Sequence, residues 1–136
     1  MCLTLLPTAA LAAERPANDA WPEQISSYVL NSVAADIQNE TSVKAGQAVE
    51  IIRRENLTTP YRWLYRVSDE NAIRLLHDYY ERDPNPEERD GVGGTHYYYF
   101  TANAPGKYDI EFQDVRIGEA FKPDRRVLVY ALTVTD

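Results

Sequence analysis

The strongest constraint on the fold of this chain is a period of two that recurs in short runs. Tyr61, Trp63, Tyr65 and Val67 alternate with Arg62, Leu64 and Arg66, and Tyr98, Phe100 and Ala102 alternate with Tyr97, Tyr99 and Thr101. Tyr108, Ile110 and Phe112 interleave with Lys107, Asp109, Glu111 and Gln113, as do Leu128, Tyr130, Leu132 and Val134 with their neighbours. Successive side chains of a strand point to opposite faces, so each run lays one apolar row against a core. In Ala48 to Arg54, Val49 and Ile51 share one face and Glu50 and Ile52 the other. Ala72 to Glu81 has a composition that permits a helix, but Tyr79-Tyr80 and the setting among strands favour another strand. Turn signals separate the runs at Val43 to Gln47, at the two-proline acidic loop Asp83 to Asp90, and at Ala104-Pro105-Gly106; proline cannot donate to a sheet ladder. Six or seven short strands at this spacing predict an all-β, antiparallel sandwich over 33–136.

A length of 136 residues suits one domain and can bury a core without disulfides. A formal net charge of −7 argues against a nucleic-acid partner, which needs a positive surface to displace phosphate counterions. Ten tyrosines against three phenylalanines suit half-buried strands and contact surfaces, where the ring packs and the hydroxyl stays wet. Residues 1–13 read as the end of a secretory signal peptide: the stretch is apolar, and Ala10-Leu11-Ala12 fits the small-x-small cleavage rule, although a basic n-region is missing. The expected location is therefore secreted or periplasmic, with a mature start near Ala13 or Glu14 and no membrane association once the signal is removed. Cys2, the one cysteine, would leave with that segment, so thiol chemistry is not expected. Residues 14–32 form a leader in which Ile25, Tyr28 and Val29 fall at helical spacing, predicting a short helix from Glu23 to about Asn31.

Catalytic constellations are thin. No serine sits in a Gly-x-Ser-x-Gly elbow, and no His-x-x-x-His pair is present. His77 and His96 are each expected on a strand surface rather than as ligand or base. Asp83, Glu87, Glu88 and Asp90 fall in a hydrophilic loop where solvation is the default. The chain is not expected to be an enzyme or to need a cofactor or metal.

The segment Glu55-Asn56-Leu57-Thr58-Thr59-Pro60-Tyr61-Arg62-Trp63 joins two strands and so forms a loop at one end of the sandwich. Pro60 stiffens its exit, and a preorganised loop loses less entropy on docking. This loop resembles the Asn-Pro-Thr-Thr-Gly-aromatic-x-Trp signature of the chagasin-type inhibitors of papain-like cysteine proteases. Gly91-Val92-Gly93-Gly94-Thr95 is similar to that family's Gly-x-Gly-Gly loop, and Ala104-Pro105-Gly106-Lys107-Tyr108 to its small-x-Gly turn. Arg116-Ile117-Gly118 stands where the family carries Arg-Pro-Trp. Order and spacing agree from about Val43 to the C-terminus. The resemblance implies an immunoglobulin-like sandwich, a monomer, and reversible, non-covalent occlusion of a protease cleft. The contact residues it implies are Asn56, Leu57, Thr58, Thr59, Pro60 and Tyr61, braced by Gly91, Val92, Gly93 and Gly94 and by Arg116, Ile117 and Gly118. Leu57 replaces the family's proline and Pro60 its glycine, and Ile117-Gly118 replaces Pro-Trp. These departures keep a second function open, an exported immunoglobulin-like binding or structural module without protease inhibition. Asn39-Glu40-Thr41 and Asn56-Leu57-Thr58 also match the glycosylation sequon and are expected to be incidental.

Overall fold

The computed structural model describes residues 29–136. The signal-like segment, and all but the last residues of the helix expected over Glu23 to Asn31, lie outside the described residues. Eight strands follow in order: β1 (Val33–Ala34), β2 (Thr41–Lys44), β3 (Ala48–Glu55), β4 (Tyr61–Val67), β5 (Ile73–Arg82), β6 (Gly94–Ala102), β7 (Gly106–Arg116) and β8 (Leu128–Thr135). They form two four-stranded sheets, ordered β1-β3-β6-β5 and β2-β8-β7-β4. Seven strands were expected at most, and the eighth arises because the leading edge is shared. Two-residue β1 adds to the first sheet beside β3, and β2 pairs in parallel with β8 in the second. This is the strand arrangement of an immunoglobulin-like sandwich, with the leading strand split between the sheets.

The period-two runs fill the space between the sheets as expected. Val49, Ile51, Tyr98, Phe100, Ile110, Phe112, Tyr130, Leu132 and Val134 make one buried cluster. Phe112, fully buried, is its hub, lying edge-on to Tyr98, Phe100 and Tyr130 with ring centroids 4.9, 6.2 and 5.7 Å away. Such edge-to-face contacts set the quadrupoles of neighbouring rings in register. The outer face of the first sheet is covered too: Tyr97 and Tyr99 pack with Val29, which precedes β1. That cover is why β3 carries Ile52 on the face opposite Val49 and Ile51, and why the Tyr99 hydroxyl donates to buried Glu50 at 2.8 Å.

The ambiguous segment is a strand, and β5 contains a bulge. Leu75 pairs with Phe100, but the next pair in the register is His77 with Tyr99, so Leu76 is the extra residue. An inserted residue reverses the parity of everything after it. Ile73 and Leu75 face the core, whereas beyond the bulge Asp78 and Tyr80 point inward and Tyr79 outward. At the opposite end from the candidate loop, the Tyr108 hydroxyl donates to the Ala104 carbonyl at 3.0 Å, closing the β6–β7 turn. Gly106 there has φ 150°, and a Cβ would stand 3.1 Å from the Tyr108 hydroxyl, so glycine fits the turn both conformationally and sterically.

Replacing the hub of the core tests this packing. Phe112→Ala should lower the unfolding free energy by about 3–5 kcal/mol, the usual cost of emptying a buried aromatic site, read as a shifted denaturant midpoint. A loss below about 1 kcal/mol would place the hub elsewhere.

Candidate functional site

Three connections meet at the end of the sandwich where β3, β5 and β7 finish: 56–60 between β3 and β4, 83–93 between β5 and β6, and 117–127 between β7 and β8. Two hydrogen bonds join them across space. The Asn56 side-chain amide donates to the Gly91 carbonyl at 2.9 Å, and the Ile117 backbone N–H donates to the Pro60 carbonyl at 2.8 Å. The central loop is thus flanked on one side by Gly91 and on the other by Ile117.

The central loop takes its shape from its own side chains. Asn56 Oδ1 accepts from the Thr58 backbone at 2.9 Å and from the Thr58 hydroxyl at 2.6 Å, and the Asn56 carbonyl accepts from the Thr59 hydroxyl at 2.8 Å. Arg62 laces the other end, with Nη1 donating to the Thr59 carbonyl at 2.7 Å and Nη2 to the Leu57 carbonyl at 3.1 Å. No residue of 56–60 takes a positive φ, so Pro60 fits where a glycine-dependent turn would exclude it. Leu57, Thr58 and Pro60 are exposed, Asn56, Thr59 and Tyr61 half-buried.

The flanking residues divide. Gly91 is exposed with φ 75°, and Val92 and Gly93 are half-buried beside it. Gly94 differs from its expected role at the tip: it is buried, opens β6, and lies against Tyr80. A Cβ there would run into the Glu81 backbone carbonyl and come within 2.6 Å of the Tyr80 hydroxyl, so this glycine serves packing beneath the loops. Arg116 is exposed with its guanidinium 5.6 Å from the Tyr61 ring centroid, and Gly118 turns the chain with φ 88°. Ile117 is 62% exposed and Leu57 43%, two apolar side chains standing free on adjacent tips. In the acidic loop Asp83 is not merely solvated: both its oxygens bond Arg54, Oδ1 at 2.8 Å, which ties the end of β5 to β3.

His96 is the clearest departure from expectation. It faces the space between the sheets rather than the surface, with Nδ1 2.7 Å from Glu55 Oε1 and Nε2 2.7 Å from Asp78 Oδ2. Its ring stacks on Tyr98 at 4.1 Å. Burial by itself would lower the His96 pKa, but the bonds to Asp78 and Glu55 and their charges prevail and raise it to about 9 from 6.5. Burial pushes Glu55 up, yet the bonds from His96 and from the Trp63 backbone hold it below its ordinary 4.5. The His96 bond likewise holds Asp78 below 3.8 against burial. At neutral pH the three form carboxylate, imidazolium and carboxylate directly under the central loop.

The sign of the pH dependence follows. The raised His96 pKa contributes stability that is complete below 6.5 and is lost as pH rises through about 9. The lowered carboxylates contribute stability present above their ordinary values and lost as pH falls through the lower folded ones. Melting temperature should therefore peak between about pH 4.5 and 6.5 and fall toward pH 9.5, and His96→Gln should flatten the alkaline fall. An alkaline fall as steep in the variant as in the parent would show that His96 does not cause it. Gly94→Ala should cost about 1–3 kcal/mol through overpacking against the Glu81 carbonyl and Tyr80, measurable in the same melts.

The model of chagasin family peptidase inhibitors, family I42, matches residues 42–134, and all three connections lie inside that range. The cysteine protease inhibitor EhICP2 from Entamoeba histolytica is similar in structure, with TM-score 0.59 and 18% identity over 76% of this chain and 95% of that one. Amebosin is similar with TM-score 0.55 and 23% identity over 76% of this chain and 96% of that one. At these identities the likeness is one of fold, and it agrees with the sandwich described above. No curated protein sequence matches the chain. The family model covers more than half of the sequence, and the chain belongs to the chagasin family of peptidase inhibitors, which makes it an inhibitor rather than an enzyme.

Proposed function

We propose that this protein reversibly inhibits papain-like cysteine proteases, one monomer to one enzyme, by seating the central loop in the catalytic cleft. The observation that carries this reading is the pair of bonds, Asn56 to Gly91 and Ile117 to Pro60, that hold three loop tips as one surface. EhICP2, a cysteine protease inhibitor, has the same fold. Occlusion needs no chemistry from the inhibitor. Thr58 and Thr59 have hydroxyls engaged within the loop, where each donates to Asn56, and neither has a neighbouring base to make it a nucleophile. What the loop offers is order before binding: its backbone is already bonded to Asn56, Thr59 and Arg62, so docking costs little further entropy.

Leu57 and Ile117 supply the apolar contacts on either side of the threonines. Ile117-Gly118 stands where the family carries Pro-Trp, with Ile117 at the proline, and the exposure of Ile117 suits it to fill a hydrophobic recess beside the cleft. A large side chain that is buried on binding often carries a disproportionate share of an interface's energy. The apolar segment ending at Ala13 supports a secreted or periplasmic site of action, checked by N-terminal sequencing of the exported protein.

Adding the purified protein to papain should abolish activity stoichiometrically or with a nanomolar constant. Full activity at micromolar inhibitor would refute the proposal. Ile117→Asp should weaken inhibition by about tenfold or more, equivalent to about 1.4 kcal/mol, without moving the melting temperature. Thr58→Ala combined with Thr59→Ala should also weaken it; unchanged potency would move the contact off this loop.

A further inference from the structure

Glu55 ends β3 in the first sheet, and Trp63 is the third residue of β4 in the second. Strands in different sheets share no ladder, so sheet pairing does not fix the separation or angle between the two ends of 56–60. The Glu55 side chain spans that gap. Its Oε2 accepts from the Trp63 backbone N–H at 2.8 Å, while Oε1 meets His96 Nδ1 at 2.7 Å. The Glu55 carbonyl accepts from the Tyr80 hydroxyl at 3.0 Å, and the Trp63 indole N–H donates back to the Arg54 carbonyl at 2.7 Å. Glu55 itself is 7% exposed and lies below the tips.

We propose that Glu55 is the positioning residue of the inhibitory loop, fixing its entry and exit through the Trp63 main chain, with His96 and Asp78 holding the carboxylate in aim. The proposal rests on the inhibitor reading above and assigns a part in inhibition to residues that touch no protease. Three features favour positioning over a contribution to stability alone. The carboxylate bonds the main chain at the far end of the loop rather than a second side chain. Its support comes from β5 and β6, so three strands of one sheet converge on one backbone N–H of the other. A buried ionic group is also seldom the most stabilising filling for its space, whereas it does specify one geometry over others.

The test compares the parent with Glu55→Gln and Glu55→Ala in two measurements, the inhibition constant against papain and hydrogen exchange of the amides from Leu57 to Trp63. Glutamine keeps an oxygen for the Trp63 N–H and, since losing one carboxylate favours neutral His96, offers an amide N–H to an unprotonated Nδ1; alanine offers neither. Glu55→Ala should raise the inhibition constant by about tenfold or more and speed exchange at Trp63 by a similar factor, with Glu55→Gln within about threefold of the parent on both. Where Glu55→Ala does not fold, His96→Gln serves in its place, with a rise of about threefold or more expected on both readings. Parent-like values in a folded Glu55→Ala protein, or in His96→Gln where that variant stands in, would overturn the proposal. Glu55→Gln as impaired as Glu55→Ala would overturn it as well. If the parent itself leaves papain active, the inhibitor reading fails, and the exchange rates alone then decide whether Glu55 positions the loop.

Discussion

Everything at the functional end of this molecule depends on how the chain passes from one sheet to the other between Glu55 and Tyr61. A sandwich core holds the sheets face to face but says nothing about the path of a crossover at its rim. Here the aromatic core runs directly into the polar group that governs that path. Phe112 lies 4.9 Å from Tyr98, and Tyr98 stacks at 4.1 Å on His96, which reaches Glu55 and Asp78. The imidazolium thus has an apolar floor, and carboxylates meet both ring nitrogens. Burying one carboxylate under the loop would be costly alone; a cation shared between two acids offsets part of that cost. Burial also pushes the Tyr98 hydroxyl far above its usual range, with the Glu55 and Asp78 charges adding to the effect, so that side chain stays neutral.

Much of this was legible in the sequence, and what was not has identifiable causes. The apolar rows of β4, β6, β7 and β8 are where period-two alternation puts them, and β3 shows both its buried faces in Val49, Ile51 and Ile52. The same alternation, carried two residues back from Tyr98 and Phe100, places His96 on the inner face. In β6 that alternation, rather than the usual surface placement of an isolated histidine, decides where the ring points. Asp78 was beyond reach by counting, since the bulge at Leu76 inverts the parity and no residue type there announces it. Glu55 sits on the row of Val49 and Ile51, but a glutamate at a strand's end is ordinarily solvated, and only its contacts show otherwise. The glycines flanking Val92 look uniform and are not: Gly91 shapes a tip, while Gly94 makes room for the Glu81 carbonyl and Tyr80.

The departures from the family's motif find their physical answers in neighbouring side chains. Without a glycine before the aromatic, the loop is held by an Asn56 turn and by Arg62 bonding carbonyls along its length. Proline then costs nothing, because none of its neighbours asks for a positive φ. Where an indole is missing, Ile117 presents a smaller apolar surface on a chain fixed to Pro60 by a backbone bond.

That arrangement separates the groups that shape the loop from those available to a partner. Thr59 and Arg62 direct their polar atoms to the loop's own backbone, and Asn56 divides its own between Thr58 and the Gly91 carbonyl of the neighbouring loop. The side chains of Leu57, Pro60 and Ile117 have no donors or acceptors to satisfy, and they face outward. Changing them alters what the tip can touch while leaving the bonds that define its path in place. Changing Glu55 does the reverse, leaving every outward side chain as it was and loosening the frame on which all of them are mounted. Affinity in such an inhibitor therefore has two separable sources, the contacts at the tip and the geometry delivered from beneath it, and the second is written in residues that a search for contact motifs passes over.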